Sequence, residues 1–173
     1  MKLQQQIISP LDIVILLKII AYEGKQWNQL LLAEELFISQ AEVSRSLARS
    51  KFAGLLDPAG KHVFKKALME FLQYGIKYVF PQQPGAVVRG IPTAHSAMPL
   101  KEVIQSEENY VWPSGKGTMR GQSIIPLYPS VVDAVRADPK LYELLALVDA
   151  LRVGRAREKQ LALELLYERV MTQ

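Results

Sequence analysis

Apolar positions recur at helical spacing through most of the first 80 residues and lose that regularity beyond Phe80. Between His62 and Phe80, Phe64, Leu68, Phe71, Leu72, Ile76 and Val79 share one face, while Lys65, Lys66, Glu70, Gln73 and Lys77 take the others. That spacing predicts one continuous amphipathic helix over 62–80. Upstream, Ser9-Pro10-Leu11-Asp12 has the form of a helix start: a serine N-cap, proline at the first helical position and an acid in the first turn. The residues up to about Tyr22 are apolar on nearly every side, so this helix is expected to be buried or shared with a partner chain, and Gly24 ends it. A second helix is predicted from about Asn28 to Leu36. Ser39 then caps a third, from about Gln40 to Ser50, ahead of Gly54.

The pattern changes at Pro81. "PQQPGAVVRGIPTAHSAMP" holds four prolines and two glycines in 19 residues, which rules out a continuous helix. Val87, Val88 and Ile91 within it predict an ordered, extended piece. "YVWPSGKGTMRGQSIIPLY" reads as a hairpin of two short strands around Ser114–Gly117. A short helix begun by Ser130 with Asp133 follows, then a longer one from Asp138-Pro139 to about Val153 and, after Gly154, a last one from about Arg155 to Val170. Leu141, Leu144, Leu145, Val148 and Leu151 stripe the first of these two long helices, and Leu161, Ala162, Leu165 and Leu166 the second. Both stripes need cover. A second copy of the chain is the expected supplier, with the helix over 62–80 as the alternative. The expected organisation is therefore residues 1–80 and residues 81–173, mainly α with small β content, the second region a mixed α+β one.

Composition narrows the function classes. The chain has 173 residues, 49% hydrophobic and 22% charged, enough for a core without staples. It has no cysteine, which excludes disulfides, thiolate metal sites and cysteine nucleophiles. The longest strongly apolar run, Ile13 to Leu17, stops at Lys18, far short of the roughly 18 residues that a membrane span needs. The opening "MKLQQQ" lacks the apolar core and cleavage site of a secretory leader, and the expectation is a cytoplasmic protein with no membrane contact. The net charge of +4 is mild, but its placement is informative. Between Ser39 and Lys66 stand six basic residues (Arg45, Arg49, Lys51, Lys61, Lys65 and Lys66) against Glu42 and Asp57, an excess equal to that of the entire chain. A polyanion would meet its field there.

That basic segment contains "LAEELFISQAEVSRSL", Leu32 to Leu47. Ala33 suits a close helix crossing; Leu36, Ile38, Val43 and Leu47 supply apolar contacts before, within and after a turn. Ser39 can accept the free N–H groups that open the next helix. Gln40, Ala41, Ser44, Arg45 and Arg49 are expected to project outward. A DNA-reading helix enters the major groove by its N-terminal residues, where Gln pairs with adenine and Arg with guanine. The segment resembles the helix-turn-helix of bacterial transcription regulators, in which Leu-Ala-x-x-Leu, an apolar-Ser turn and Val-Ser-Arg-x-Leu recur. With the preceding buried helix and the turn after Leu56, it further resembles winged-helix regulators such as the MarR family. The resemblance implies a winged-helix-type helix-turn-helix domain, with Ser39 to Arg49 as recognition helix and Gln40, Ala41, Ser44 and Arg45 nearest the bases. Lys51 and Lys61 join the expected DNA contacts. The chain would then bind double-stranded DNA, as a homodimer, to regulate transcription, in the sense of repression. Two departures stand out: Phe37 occupies the turn position usually taken by glycine, and the segment after Leu56 is too short for a long wing. A wing is expected to be reduced, or supplied by Ser114–Gly117. An ordinary αα-hairpin would carry the same apolar spacing, but the full register and the local charge favour DNA.

Other chemistry is sparse. His95 stands beside Thr93 and Ser96 without an acid at a telling distance, so it is expected to be structural, and no catalytic residue, metal or cofactor is assigned. "RVGRAREKQ" near the C-terminus is read as a solvated basic helix face. Residues 81–173 resemble no family, which keeps a protein-interaction subunit, antitoxin-like or a defence-system partner, as the rival, with a plasmid or replication DNA binder beside it.

Overall fold

A computed structural model describes residues 6–172; the reading of "MKLQQQ" therefore lies almost wholly outside the described residues. The protein is mainly helical with one small three-stranded sheet. Helices α1 (Pro10–Ala21), α2 (Gln29–Leu36), α3 (Gln40–Phe52), α4 (Lys65–Tyr74) and α5 (Ile76–Val79) precede strands β1 (Val87–Pro92), β2 (Tyr110–Pro113) and β3 (Met119–Ser123). Helices α6 (Val131–Ala134), α7 (Pro139–Val153) and α8 (Ala156–Met171) complete the order.

Helix α1 is buried continuously from Leu11 to Ile20, as its all-round apolar sequence predicts. Two charges go inside with it. Asp12 is met by Arg49, and the Lys18 ammonium lies 2.7 Å from Glu35 and 2.5 Å from Asp138. Buried charge is tolerated only with such partners. The Lys18 cluster ties α1 to α2 and to the N-cap of α7, because Asp138 also accepts the Leu141 N–H. Tyr22 donates its hydroxyl to Glu35 at 2.7 Å. Burial alone would push the Glu35 carboxyl up, but Lys18 and Tyr22 outweigh it and hold that carboxyl below its ordinary range.

The predicted helix over 62–80 is two helices. Its start is delayed to Lys65 because residues 55–64 form a small hairpin: Leu56 bridges Val63, and the Phe64 N–H donates to the Leu55 carbonyl at 2.9 Å. It breaks at Gly75, where the Phe71 ring folds into the space that a Cβ would need, 2.9 Å away. The apolar spacing runs on through the break, and Phe71 packs edge-on against Phe80.

Strand β1, from the proline-rich stretch, is the organiser of the sheet. It pairs antiparallel with β2 (Ile91 opposite Trp112) and with β3 (Val88 opposite Gly121). Strands β2 and β3 meet in parallel, Tyr110 opposite Gln122, closing the three strands on themselves. The expected β2–β3 hairpin is thus corrected: both strands exist, but β1 is their common partner. Gly90 makes the closure possible, since a Cβ there would come within 2.1 Å of the Trp112 carbonyl oxygen.

Helix α7 is the mast. Leu141, Leu144, Leu145, Ala146, Leu147, Val148, Ala150 and Leu151 are all buried, against α1, α4, α5 and α8. The α7 stripe therefore finds its cover within the chain, chiefly from α8 and α1 rather than from the 62–80 segment alone, while on α8 Ala162 and Leu166 are buried and Leu161 and Leu165 half-buried. Asp149, also inside, accepts from Thr93 Oγ1 (2.7 Å), Trp112 Nε1 (2.6 Å) and Arg152 Nη1 (2.9 Å). Arg152 Nε in turn donates to the Phe80 carbonyl at 2.9 Å, so the cluster joins α5, β2 and α7 across Pro81. One continuous hydrophobic cluster holds buried residues from both sides of that proline. Burial pushes the Asp149 carboxyl up, against the pull of Arg152, Thr93 and Trp112.

Candidate nucleic-acid interface

Helix α3 is divided lengthwise. Val43, Ser46, Leu47 and Ser50 face inward, and Gln40, Ala41, Ser44, Arg45, Ala48 and Lys51 are exposed. The exposed set recurs at intervals of three and four, so it forms one face. The inner face is small at Ser46 and Ser50, both fully buried, and the helix packs on α1 and α2. Its start is fixed by a capping box: Ser39 Oγ accepts the Glu42 N–H at 3.1 Å, and Glu42 Oε2 accepts the Ser39 N–H at 2.8 Å. Ser39 itself is exposed.

The turn that aims α3 is a helix end built from Phe37. This residue adopts the left-handed conformation at φ 55, with its N–H on the Glu34 carbonyl (3.3 Å) and the Ile38 N–H on the Ala33 carbonyl (3.0 Å). Glycine would normally take that position, so Phe37 achieves the geometry at a backbone cost. Its ring is 64% exposed. Ala33 is 5% exposed, on a helix that packs against α3.

Arg49 does not project outward. Its Nε donates to Asp12 at 2.9 Å, and its Nη2 donates to Asp12 at 2.7 Å and to Ser9 Oγ at 3.1 Å. A fork on a fully buried carboxylate is a structural pair, and Arg49 leaves the set of free cations. Asp12 raises the guanidinium's pKa accordingly. Lys51 is exposed beside the 55–64 hairpin, where its stem approaches Gly60. Lys61 stands with its ammonium 4.8 Å from the centre of the Trp27 ring. The structure thus brings Ser39, Gln40, Ala41, Ser44, Arg45 and Lys51 together on α3 and leaves Lys61 to a neighbouring cleft.

Sequence reasoning missed the residue that couples this helix to the C-terminal region. Tyr128 donates its hydroxyl to Glu42 Oε1 at 2.5 Å. That bond, with those from Ser39, holds the Glu42 carboxyl below its ordinary range. Nothing in the sequence pairs positions 42 and 128; the only local signal was the capping role of Glu42. Lys116, at the turn between β2 and β3, lines a cleft of about 690 Å³ with Phe37 and Arg136. The hairpin over 55–64 is reduced to one bridge, as its length predicts.

His95 is buried, with Nε2 2.7 Å from the Glu108 carbonyl oxygen, while Thr93 bonds Asp149 and Ser96 Oγ accepts the Tyr110 N–H. Thr93 thus ties this stretch to α7, and Ser96 and His95 tie it to β2 and the segment just ahead of it. Among the described residues, no group of three or more His, Asp or Glu side chains is gathered to hold a metal, and no helix is long and apolar enough to cross a membrane. No family model matches the chain, and no curated protein or solved structure matches it.

Proposed function

We propose that the chain binds double-stranded DNA through the exposed face of α3, in the manner of a winged-helix-type helix-turn-helix protein, and regulates transcription by occupying its site. The observation that carries this reading is the exposed face itself. Its first turns offer Gln40, Ala41, Ser44 and Arg45, exposed side chains that fit a groove and pair with base edges or phosphates; among the described residues no salt bridge holds Arg45, whose charge also acts on Glu42. Ala41 is small enough to touch a thymine methyl, Gln40 has the donor and acceptor that adenine needs, and Arg45 the fork that guanine needs. Lys51 would meet a phosphate. With Phe37 and Ser39 fixing the angle of entry, the helix is presented rigidly, which is what discrimination between bases requires.

Repression by a homodimer is the form we propose, because one helix reads only a few base pairs and paired half-sites multiply discrimination. The α7 stripe no longer argues for it, since it is covered within the chain. Tyr74, Tyr78 and Val79 along α4 and α5, and Tyr167 on α8, are 68%, 71%, 48% and 57% exposed and supply apolar surface for a second copy. The same residues favour the second reading, a protein-interaction subunit in which this surface holds a different chain. Selection of bound duplexes from a random pool tests the first reading. An enriched site with two-fold symmetry is expected; a pool that stays random at moderate salt would sink it in favour of the second.

A further inference from the structure

One feature not used by the DNA reading is a cleft of about 670 Å³ between the end of α1, the α1–α2 loop and the 55–64 hairpin. No residue of α3 lines it. Its floor is apolar, made by Ile19 and Ile20 with Val63, and its wall is the half-buried indole of Trp27. The rim is cationic. Lys25 comes from the loop, Lys61 and His62 from the hairpin, and Lys65 from the start of α4. The one carboxylate there, Glu23, is paired with Lys140. The hairpin's rim is also built in place: Asp57 Oδ1 accepts the N–H groups of both Lys61 (2.7 Å) and His62 (2.9 Å).

We propose that this cleft is a nucleotide-binding site, with the base against Trp27 and the phosphates held by Lys25 and Lys61. Three features point there together. The indole offers a π-face, and the Lys61 ammonium that now stands over it at 4.8 Å would yield that face to the base and turn to the phosphates. Lysines from different elements converge on one rim, which suits a ligand with more than one negative charge. The volume falls inside the roughly 300–1,000 Å³ of small-molecule sites. A lone phosphate would leave the indole and the isoleucine floor uncovered. An uncharged aromatic would leave Lys25 and Lys61 without a phosphate to meet.

The nucleotide titration needs no DNA, so its failure leaves the α3 reading untouched; duplex binding by the double variant is measured separately. The full chain is titrated with adenosine and guanosine 5′-triphosphates while tryptophan fluorescence is followed. Trp112 is 1% exposed and hydrogen-bonded to Asp149, so the signal belongs to Trp27. Saturable quenching is expected, weakened at least tenfold in the Lys25→Ala/Lys61→Ala double variant, and abolished as a signal but not as calorimetric heat in Trp27→Phe. Both lysines are exposed, so an unchanged circular dichroism melt shows that the double variant folds. No saturable binding, or binding indifferent to the lysines, overturns the proposal. So does inorganic phosphate binding as tightly as nucleotide, which would leave an anion site only. If the double variant loses affinity for duplex DNA while nucleotides do not bind, the cleft is a DNA-backbone contact instead.

Discussion

Helices α3 and α7 are of similar length, 13 and 15 residues, and the fold uses them in opposite ways. Helix α7 is buried on nearly every side, and even its Asp149 and Arg152 are turned to internal partners. Helix α3 buries a narrow strip and shows the rest. A helix of the first kind can be changed only at the cost of the fold. One of the second kind has a face free to vary with its ligand, provided that its neighbours hold it still. Asp12, Tyr128 and the Phe37 turn do the holding, and two of these three come from outside the α2–α3 pair.

The contrast is open to attack at several points. The largest effect is expected at Asp149→Ala. Removing it strands Arg152 and the Trp112 and Thr93 donors inside the core, which should cost about 3–5 kcal/mol in chemical denaturation. A loss below about 1 kcal/mol would mean that α7 is not the mast described. Arg49→Ala follows at about 3 kcal/mol, the low end of the same range because Arg49 is 24% exposed while Asp12 is 0%. Were Arg49 a DNA contact, the substitution would leave the melting temperature alone and weaken binding only.

Overpacking the buried Ala33 position with Ala33→Leu should destabilise by roughly 1–3 kcal/mol, read as a drop in midpoint denaturant. The smallest effect concerns pH. Glu42 is held below the ordinary carboxylate range by Tyr128 first and Ser39 next, so its contribution is present at neutral pH and lost as pH falls through that depressed value. Tyr128→Phe removes the largest of these causes. The Glu42 carboxyl should then titrate at a higher pH in side-chain NMR spectra, and the stability that Glu42 loses in acid should be smaller. An unmoved Glu42 titration would show that Tyr128 does not bear on α3.

How much of this could be read from the sequence depends on how far apart the partners lie. The Ser39 cap, the Pro139 start and the Gly154 break are local, and each fell where its residue types predicted. Arg49 did not. Spaced four residues from Arg45, it belongs to the same face by helical period, and what separates them is Asp12, distant in the chain. One signal was available: an aspartate inside the apolar run of α1 must find a cation once it is buried. The same reasoning applies to Lys18. The pairing of β1 between β2 and β3 had no such signal, because short strands in a proline-rich stretch do not name their partners. For α7 the apolar residues on every side already argued for burial, but five of them at helical spacing read as one stripe. Gly75 was the visible mark of the break between α4 and α5, masked by apolar spacing that continues through it.

Among the proposed contacts, Arg45 is the residue on which the account rests most. It is exposed on α3, four residues from Arg49 and without the ion pair that holds it. The direct measurement is the affinity of Arg45→Ala for the duplex selected by the parent protein, at fixed salt, beside its melting temperature. The account predicts binding weakened by about 1–3 kcal/mol, with the melting temperature unchanged. Equal affinity of the two proteins for that duplex would contradict it, and α3 would not be the reading helix.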